Sequence, residues 1–359
     1  MKLLHVITSL YTGGAETLVV NMVPRFQALG HEVGVVVFNG GHTPLMERLE
    51  KECTNCKLYK LGDSFYNPWY IIKLVKIMRD YDIVHTHNSS PQLYTAIANL
   101  FCGKKLVTTE HNTNNRKRGN CLLSKIDRWM YSRYDRVICI SNQAEANLRK
   151  YLKKGELKTQ IETIYNGVDI ESIRSAKPIM GLRKGKFVAV MVSAFRPQKD
   201  HETLIKAMTK LPADRYEIWL VGGGESYDKV VQLVHELKVE QNVKFWGVRI
   251  DVYNILKSAD VVVMSTHYEG LSLSNIEGMA VGKPFVASDV EGIREITKGY
   301  GILVPHQDVD ALAKAIEQLH DDKQFYKRIA DRCYERANQF DISKMVSRYN
   351  HVYSSIFKV

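Results

Sequence analysis

What this 359-residue chain lacks narrows its class before any motif is read. No uninterrupted apolar run approaches the ~20 residues that a membrane-spanning helix needs. The opening MKLLHVITSLYTGG has no small-residue cleavage site behind a long apolar region, so the expectation is a protein made and kept in the cytoplasm. Cysteine is sparse, six in all, which excludes a disulfide scaffold. Cys53-Thr-Asn-Cys56 has metal-ligand spacing, but no second Cys or His pair accompanies it, so neither a metal nor another cofactor is expected. Zinc-finger spacing, an aromatic-rich RNA-binding signature, repeats and low-complexity tracts are absent too, and nucleic acid is not an expected partner.

What is present is an ordinary globular profile, 45% hydrophobic and 25% charged, with length for about two domains. The basic excess is local. Between Lys104 and Lys158 stand 14 Lys or Arg against 5 Asp or Glu, a net +9 of the chain's formal +11. Within that region Arg116-Lys117-Arg118 sits in an Asn-rich loop that could face an anionic headgroup or a diphosphate. After it Leu122, Leu123, Ile126, Trp129 and Met130 recur at helical spacing among Lys125, Arg128 and Arg133. Such a helix either covers a core with its apolar stripe, the commoner case, or lies on a membrane surface.

Short apolar runs alternate with amphipathic helices along the whole chain. KLLHVIT, HEVGVVVF, YDIVHTH, KKLVTTEH and DRVICIS read as strands in the first half; KFVAVMVSAF, YEIWLVGG, VKFWG, DVVVMST, KPFVASD and GILVP do so in the second. Helical periods cover residues 15–29, 201–211, 226–238 and 308–320. This alternation predicts an α/β fold of two doubly wound parallel sheets with helices on both faces. The charged, aperiodic stretch 170–186 marks the break, giving a first domain of residues 1–175 and a second of 176–341.

In open parallel sheets ligands collect beyond the carboxyl ends of the strands. The first strand there leads into Gly13-Gly14, whose backbone N–H groups can approach an anion at a helix start; it is not a GxGxxG, so a dinucleotide fingerprint fails. The strand of DIVHTH ends at His87 and the next at Glu110-His111, two histidines at one sheet edge. In the second half Arg196 and Lys199 precede a helix, suiting a diphosphate. Turns at 221-VGGGES-226 and 245-FWGVRID-251 could bring backbone near a flat base. In 267-HYEGLSLSNIEGMA-280, Ser272 or Ser274 is the expected N-cap and Asn275 to Glu277 the first turn, which offers Glu277 a capping role. Glu269, ahead of the cap, has no such local purpose.

Together these residues resemble a retaining glycosyltransferase of the GT-B fold, family 4. The features that carry the resemblance are the Gly-Gly turn, His87, Asn166-Gly167-Val168-Asp169, Lys199 in PQKDHETL, the GGGES turn, and Glu269 and Glu277 separated by seven residues. The resemblance implies two Rossmann-like domains facing across a cleft, the first binding the acceptor and the second the nucleotide sugar, with the helix from Ile342 to Val359 crossing back to the first domain. By position, Glu277 would accept the ribose hydroxyls and the backbone at Val248 would meet the base. The N–H groups of Leu271, Ser272, Leu273 and Ser274 would receive phosphate or sugar oxygens, while Arg196, Lys199, Gly13 and Gly14 would neutralise the diphosphate. Glu269 would lie beside the reacting sugar, with His87 contacting it from the other domain. His111 and Asn166, like the basic loop, would belong to the acceptor or interdomain side. One departure is that many members carry Arg five residues before the Lys, where this chain has Ala194 and places Arg196 three before it.

The expected activity is therefore transfer of a hexose, UDP-linked in the commoner case, to a glycan or lipid-linked glycan, without metal, in cell-surface polysaccharide synthesis. Peripheral contact with the anionic inner face of the cell membrane is part of that expectation. A nucleotide-sugar 2-epimerase of the same architecture is the enzymatic alternative. A basic membrane-surface or nucleic-acid binder is the non-enzymatic one; it would explain the charge and leave the loops unexplained.

Overall fold

Runs of Val, Ile and Leu with few polar interruptions become strands buried on both faces, which is what a parallel sheet between helical layers requires. The computed structural model describes residues 1–11, 13–53, 55–111, 121–152, 159–182 and 185–357, the side chains of Cys121 and Leu122 excepted. Arg116, Lys117 and Arg118 therefore lie outside the described residues. The chain forms two units, Met1–Gly167 with Ile342–Val359, and Val168–Asp341.

In the first unit the elements run β1 (Lys2–Ile7), α1 (Gly14–Ala28), β2 (Glu32–Asn39), α2 (Pro44–Glu52), β3 (Lys57–Gly62), α3 (Tyr70–Met78), β4 (Ile83–His87), α4 (Ser89–Ala98), β5 (Lys105–Glu110), α5 (Cys121–Tyr131), β6 (Arg136–Cys139), α6 (Asn142–Leu152) and β7 (Gln160–Thr163). In the second they run α7 (Ile170–Ser175), β8 (Phe187–Val192), α8 (His201–Met208), β9 (Tyr216–Val221), α9 (Tyr227–Glu236), β10 (Val243–Phe245), α10 (Val252–Ser258), β11 (Val261–Met264), α11 (Leu273–Ala280), β12 (Phe285–Ser288), α12 (Ile293–Thr297), β13 (Ile302–Val304), α13 (Val309–Asp321) and α14 (Lys323–Ala337). The final helix, α15 (Ile342–Phe357), returns to the first unit.

Both sheets are wholly parallel and share one winding: β3-β2-β1-β4-β5-β6-β7 in the first, β10-β9-β8-β11-β12-β13 in the second. The order reverses between β1 and β4, and again between β8 and β11. At such switch points the loops diverge and leave a crevice at the strand carboxyl ends.

Helix α15 explains how residues from the chain's end reach the first core. Ile342, Met345, Val346, Tyr349, Val352, Tyr353 and Ile356 recur every three or four positions and are buried with Leu18, Met22 and Phe26 of α1. Gly167 packs so closely against Ile342 that a Cβ there would come within 2.6 Å of the Ile342 Cα. The unit boundary falls at 167–168, eight residues before the expected 175–176, because α7 packs on α11 of the second unit.

Helix α5 corrects the commoner reading of its stripe. Met130 and Asp127 are buried, but Leu123, Ile126 and Trp129 are 44%, 41% and 38% exposed. Periodicity places them on one face without saying whether water or core covers it.

Candidate active site

The switch point of the second unit brings together side chains seventy positions apart. Behind β8, the loop to α8 pairs by backbone with the loop behind β11: Asp200 N donates to Ser265 O (3.1 Å), His267 N to Gln198 O (3.0 Å), and Lys199 bridges Thr266. The Thr266 hydroxyl donates to Gln198 O (2.9 Å), and the Gln198 amide to Tyr268 O (2.9 Å). This pairing holds the Lys199 ammonium in direct contact with Glu269 Oε1, both side chains being mostly shielded from water. Burial, and after it the guanidinium of Arg196, pull the Lys199 ammonium down to about 8. Arg196 itself is exposed.

Glycines allow the neighbouring loops to close in. Gly222 adopts φ +142°, and a Cβ there would lie 2.0 Å from Ser193 O; at Gly224, φ +149°, it would lie 2.5 Å from Phe195 O. Ser193 N donates to Val221 O and Phe195 N to Gly223 O, both at 3.0 Å. Behind β10, Gly247 O accepts from Gly222 N (2.8 Å), and Val248 stands 77% exposed beside Gly223. From the other side Gly292 (φ +80°) packs on the carbonyls of Glu269 and Gly270. A side chain at Gly222 or Gly224 would displace the loop that leads to Lys199, and one at Gly292 would displace the backbone of Glu269.

Helix α11 begins at Leu273 with Ser272 as its N-cap, the earlier of the two expected serines, and Ser272 makes no side-chain cap bond. The first-turn N–H groups are thus not taken by the hydroxyl that normally covers them, and they sit directly after Glu269 in a helix whose N-terminus favours anions. Within this turn Asn275 is fully buried, and neither atom of its amide has a hydrogen-bond partner among the described residues. Glu277 lies in the second turn, so the capping role foreseen for it does not apply. Its Oε1 accepts from the Tyr253 hydroxyl (3.1 Å), and burial raises its carboxyl above the usual range while Tyr253 opposes the shift.

In the first unit the corresponding switch point carries histidines. The β1–β4 register sets His5 beside His85. His5 Nδ1 meets His87 Nε2 (3.2 Å), and His87 Nδ1 meets His111 Nε2 (3.2 Å). His85 bonds to the Tyr353 hydroxyl (2.6 Å) and to Thr109 Oγ1 (2.8 Å). Burial lowers His5 and His111 to about 4 and holds His85 and His87 well below the usual imidazole range, so all four are neutral at physiological pH. His87 is 0% exposed with both ring nitrogens engaged, whereas His111 is only part-buried. The direct sugar contact expected of His87 is therefore not available to it in this arrangement; its reach outward runs through His111.

Gly13, extended at φ −168°, precedes α1, and Gly14 has open space around it. Sequence reasoning missed Glu16 here. Its Oε2 lies 2.2 Å from where a Gly13 Cβ would be, its Oε1 accepts from the Asn88 amide (3.4 Å), and burial raises its carboxyl. The signal available was an acid two residues into a glycine-opened helix, directly facing the anion site proposed for it. Asn166 is buried near the exit of the first unit, 4% exposed, so it offers no surface to an acceptor. The Cys53 and Cys56 thiols are pushed up by burial to about 11 and 12, which disfavours the thiolates a metal would need.

Comparison with known proteins gives a consistent picture. The Glycosyltransferase Family 4 profile matches residues 12–172, and the Glycosyl transferases group 1 profile residues 172–336. The N-acetyl-alpha-D-glucosaminyl L-malate synthase of Bacillus anthracis is 25% identical, over 96% of this chain and 95% of its own. The UDP-Gal:alpha-D-GlcNAc-diphosphoundecaprenol alpha-1,3-galactosyltransferase of Escherichia coli is 28% identical, over 84% and 81%. Anabaena HepE, solved in complex with UDP-glucose, superposes with a TM-score of 0.85 over 99% of this chain and 100% of its own, at 24% identity.

Proposed function

This chain belongs to the family 4 glycosyltransferases of the GT-B fold, and on that premise we propose that it is a retaining, metal-independent hexosyltransferase using a UDP-linked donor and a lipid-linked glycan acceptor. The observation that carries the reading is the Lys199–Glu269 contact at the β8–β11 switch point, directly before the uncapped start of α11.

Breaking the bond between the anomeric carbon and the diphosphate oxygen develops positive charge on the sugar ring and negative charge on the leaving group. Lys199, Arg196 and the first-turn N–H groups of α11 face the negative charge, and fixed donors of this kind do most of the electrostatic work in such sites. Glu269 orients sugar hydroxyls and favours the positive ring. An acceptor hydroxyl forms the new bond on the face the leaving group departs, and its proton passes to the diphosphate oxygen, so configuration is retained and no enzyme carboxylate is consumed. The geometry joins Lys199, assigned from the sequence to the diphosphate, and Glu269, assigned to the sugar. An ammonium has three donors, so Lys199 can keep one on Glu269 and turn the others to phosphate. Glu277, in the second turn, accepts the ribose hydroxyls. His111 replaces His87 as the histidine that reaches substrate, with His87 holding its ring.

The acceptor reading draws on the Escherichia coli relative, named for a diphosphoundecaprenol substrate, and on α5. Exposed Leu123, Ile126 and Trp129 with Lys125 alongside form the surface of an interfacial helix, consistent with peripheral attachment to an anionic membrane and a role in surface polysaccharide synthesis. No helix among the described residues is long and apolar enough to cross a membrane.

Replacing Lys199 by Ala is expected to lower kcat by about 10²–10³-fold, the range for loss of one preorganised donor. Glu269→Gln should lower kcat while leaving UDP affinity within a few-fold. Turnover measured alongside calorimetric UDP binding separates the two, and a Glu269→Gln enzyme with unaltered kcat would remove that residue from the chemistry.

A further inference from the structure

We propose that Asp200, His267 and His306 form a binding site for a divalent transition-metal cation of the zinc type, which ties together the loops behind Lys199 and Glu269. One ligand atom from each residue lies within 4.8 Å of the other two. His267 Nδ1 and His306 Nε2 face each other at 2.9 Å. Two imidazole nitrogens on one tetrahedral Zn2+, each at about 2.0–2.1 Å, stand roughly 3.3 Å apart, so the ring pair needs only a small opening. The proton now between them shifts to an outer ring nitrogen as the metal binds.

Asp200 supplies the second, independent sign. It is 2% exposed; its Oδ1 accepts from Thr203 N at the start of α8 (3.0 Å), while its Oδ2 is buried without a hydrogen-bond partner among the described residues. A shielded carboxylate oxygen left unpaired is costly, and a cation is the partner it lacks. Two imidazoles and one carboxylate suit Zn2+ over Mg2+, which prefers oxygen ligands throughout. Asp200 and His267 also line a cavity of about 630 Å3, which provides an entry path and room for a water as fourth ligand.

The three ligands come from three loops, after β8, β11 and β13. Asp200 follows Lys199 directly, and His267 stands two residues before Glu269. An ion held there acts as a clamp on the active-site loops from behind; it is not assigned to the reacting atoms, and the inference stands independently of which donor is used. Positions 200, 267 and 306 are too scattered for any ligand spacing to have revealed them.

The test is calorimetric titration of untagged, chelator-stripped full-length protein with Zn2+ and separately Mg2+, with thermal unfolding read in parallel. The expected result is one equivalent of Zn2+, a rise of several degrees in Tm, no effect of Mg2+, and at least tenfold weaker Zn2+ binding in His306→Ala, whose side chain is exposed and leaves the core intact. Absence of saturable Zn2+ binding would overturn the proposal. So would undiminished affinity in His306→Ala, which would place the ion elsewhere, such as the buried His5, His85 and His87 group. Should that variant fail to fold, Co2+ spectra of the unaltered protein decide: strong visible bands of a four-coordinate site support the clamp, and the weak bands of a hydrated ion contradict it.

Discussion

At the residue scale, the two glutamates of HYEGLSLSNIEGMA part company. Glu269 is held by Lys199 in the loop, while Glu277 sits in the second turn of α11 on Tyr253. Glu277→Ala is expected to raise the donor KM about tenfold with a smaller change in kcat, since the ribose is bound equally in ground and transition states and a hydrogen bond to a charged group contributes about 1.5–3 kcal/mol. Steady-state kinetics with varied donor checks this; an unchanged KM would assign the ribose to another group. The order and spacing of their motifs singled out Lys199, Glu269 and Glu277 as candidates. The contact between Lys199 and Glu269 was not legible, because the β8–β11 backbone pairing that makes it joins loops with no local pattern in common. His87 drew attention for its place at a strand end, but position along the strand does not reveal that neighbouring strands bury it under His111.

At the scale of elements, every strand of the second sheet could be read from its apolar run, and the two missed in the first sheet, β3 and β7, are its edges. Both are only partly buried and carry polar residues, KLYKLG and QIET, as edge strands do, so no continuous apolar stretch announces them. The start of α11 was placed too late because two serines compete as caps, and only the backbone decides between them. Helix α5 shows the limit of periodicity in the other direction, an apolar stripe whose Leu123, Ile126 and Trp129 are exposed while Met130 is buried. If that stripe docks on a membrane, replacing Leu123 and Trp129 by Ser should reduce recovery with anionic phosphatidylglycerol vesicles in a flotation assay by about tenfold, loss of two apolar anchors at roughly 1.5–3 kcal/mol each setting an upper bound. Equal recovery of both proteins would exclude α5 as the contact.

For the molecule as a whole, the two units share a winding but differ in chemistry: carboxylates and cations at the second switch point, neutral histidines at the first. The histidines make the first unit acid-sensitive. An unfolded chain takes up a proton on His5 near the ordinary imidazole value of 6.5, whereas the folded chain resists until about 4. Stability from this group is fully present above pH 6.5 and is lost as pH falls toward 4, by about 3 kcal/mol for His5 alone. His85, His87 and His111 act in the same direction. Denaturant unfolding at pH 7 and pH 5 should show about 2 kcal/mol of this loss for His5, and a smaller total loss in His5→Gln; identical pH dependence in both proteins would contradict the assignment. The account's central claim, retaining transfer from a nucleotide sugar held by the second unit, is tested most directly by turnover of a UDP-sugar panel followed by NMR of the product's anomeric centre. The expected result is turnover of a UDP-hexose with the donor's α configuration preserved, and a rate lowered by about 10²–10³-fold in Lys199→Ala; a β-linked product would contradict it.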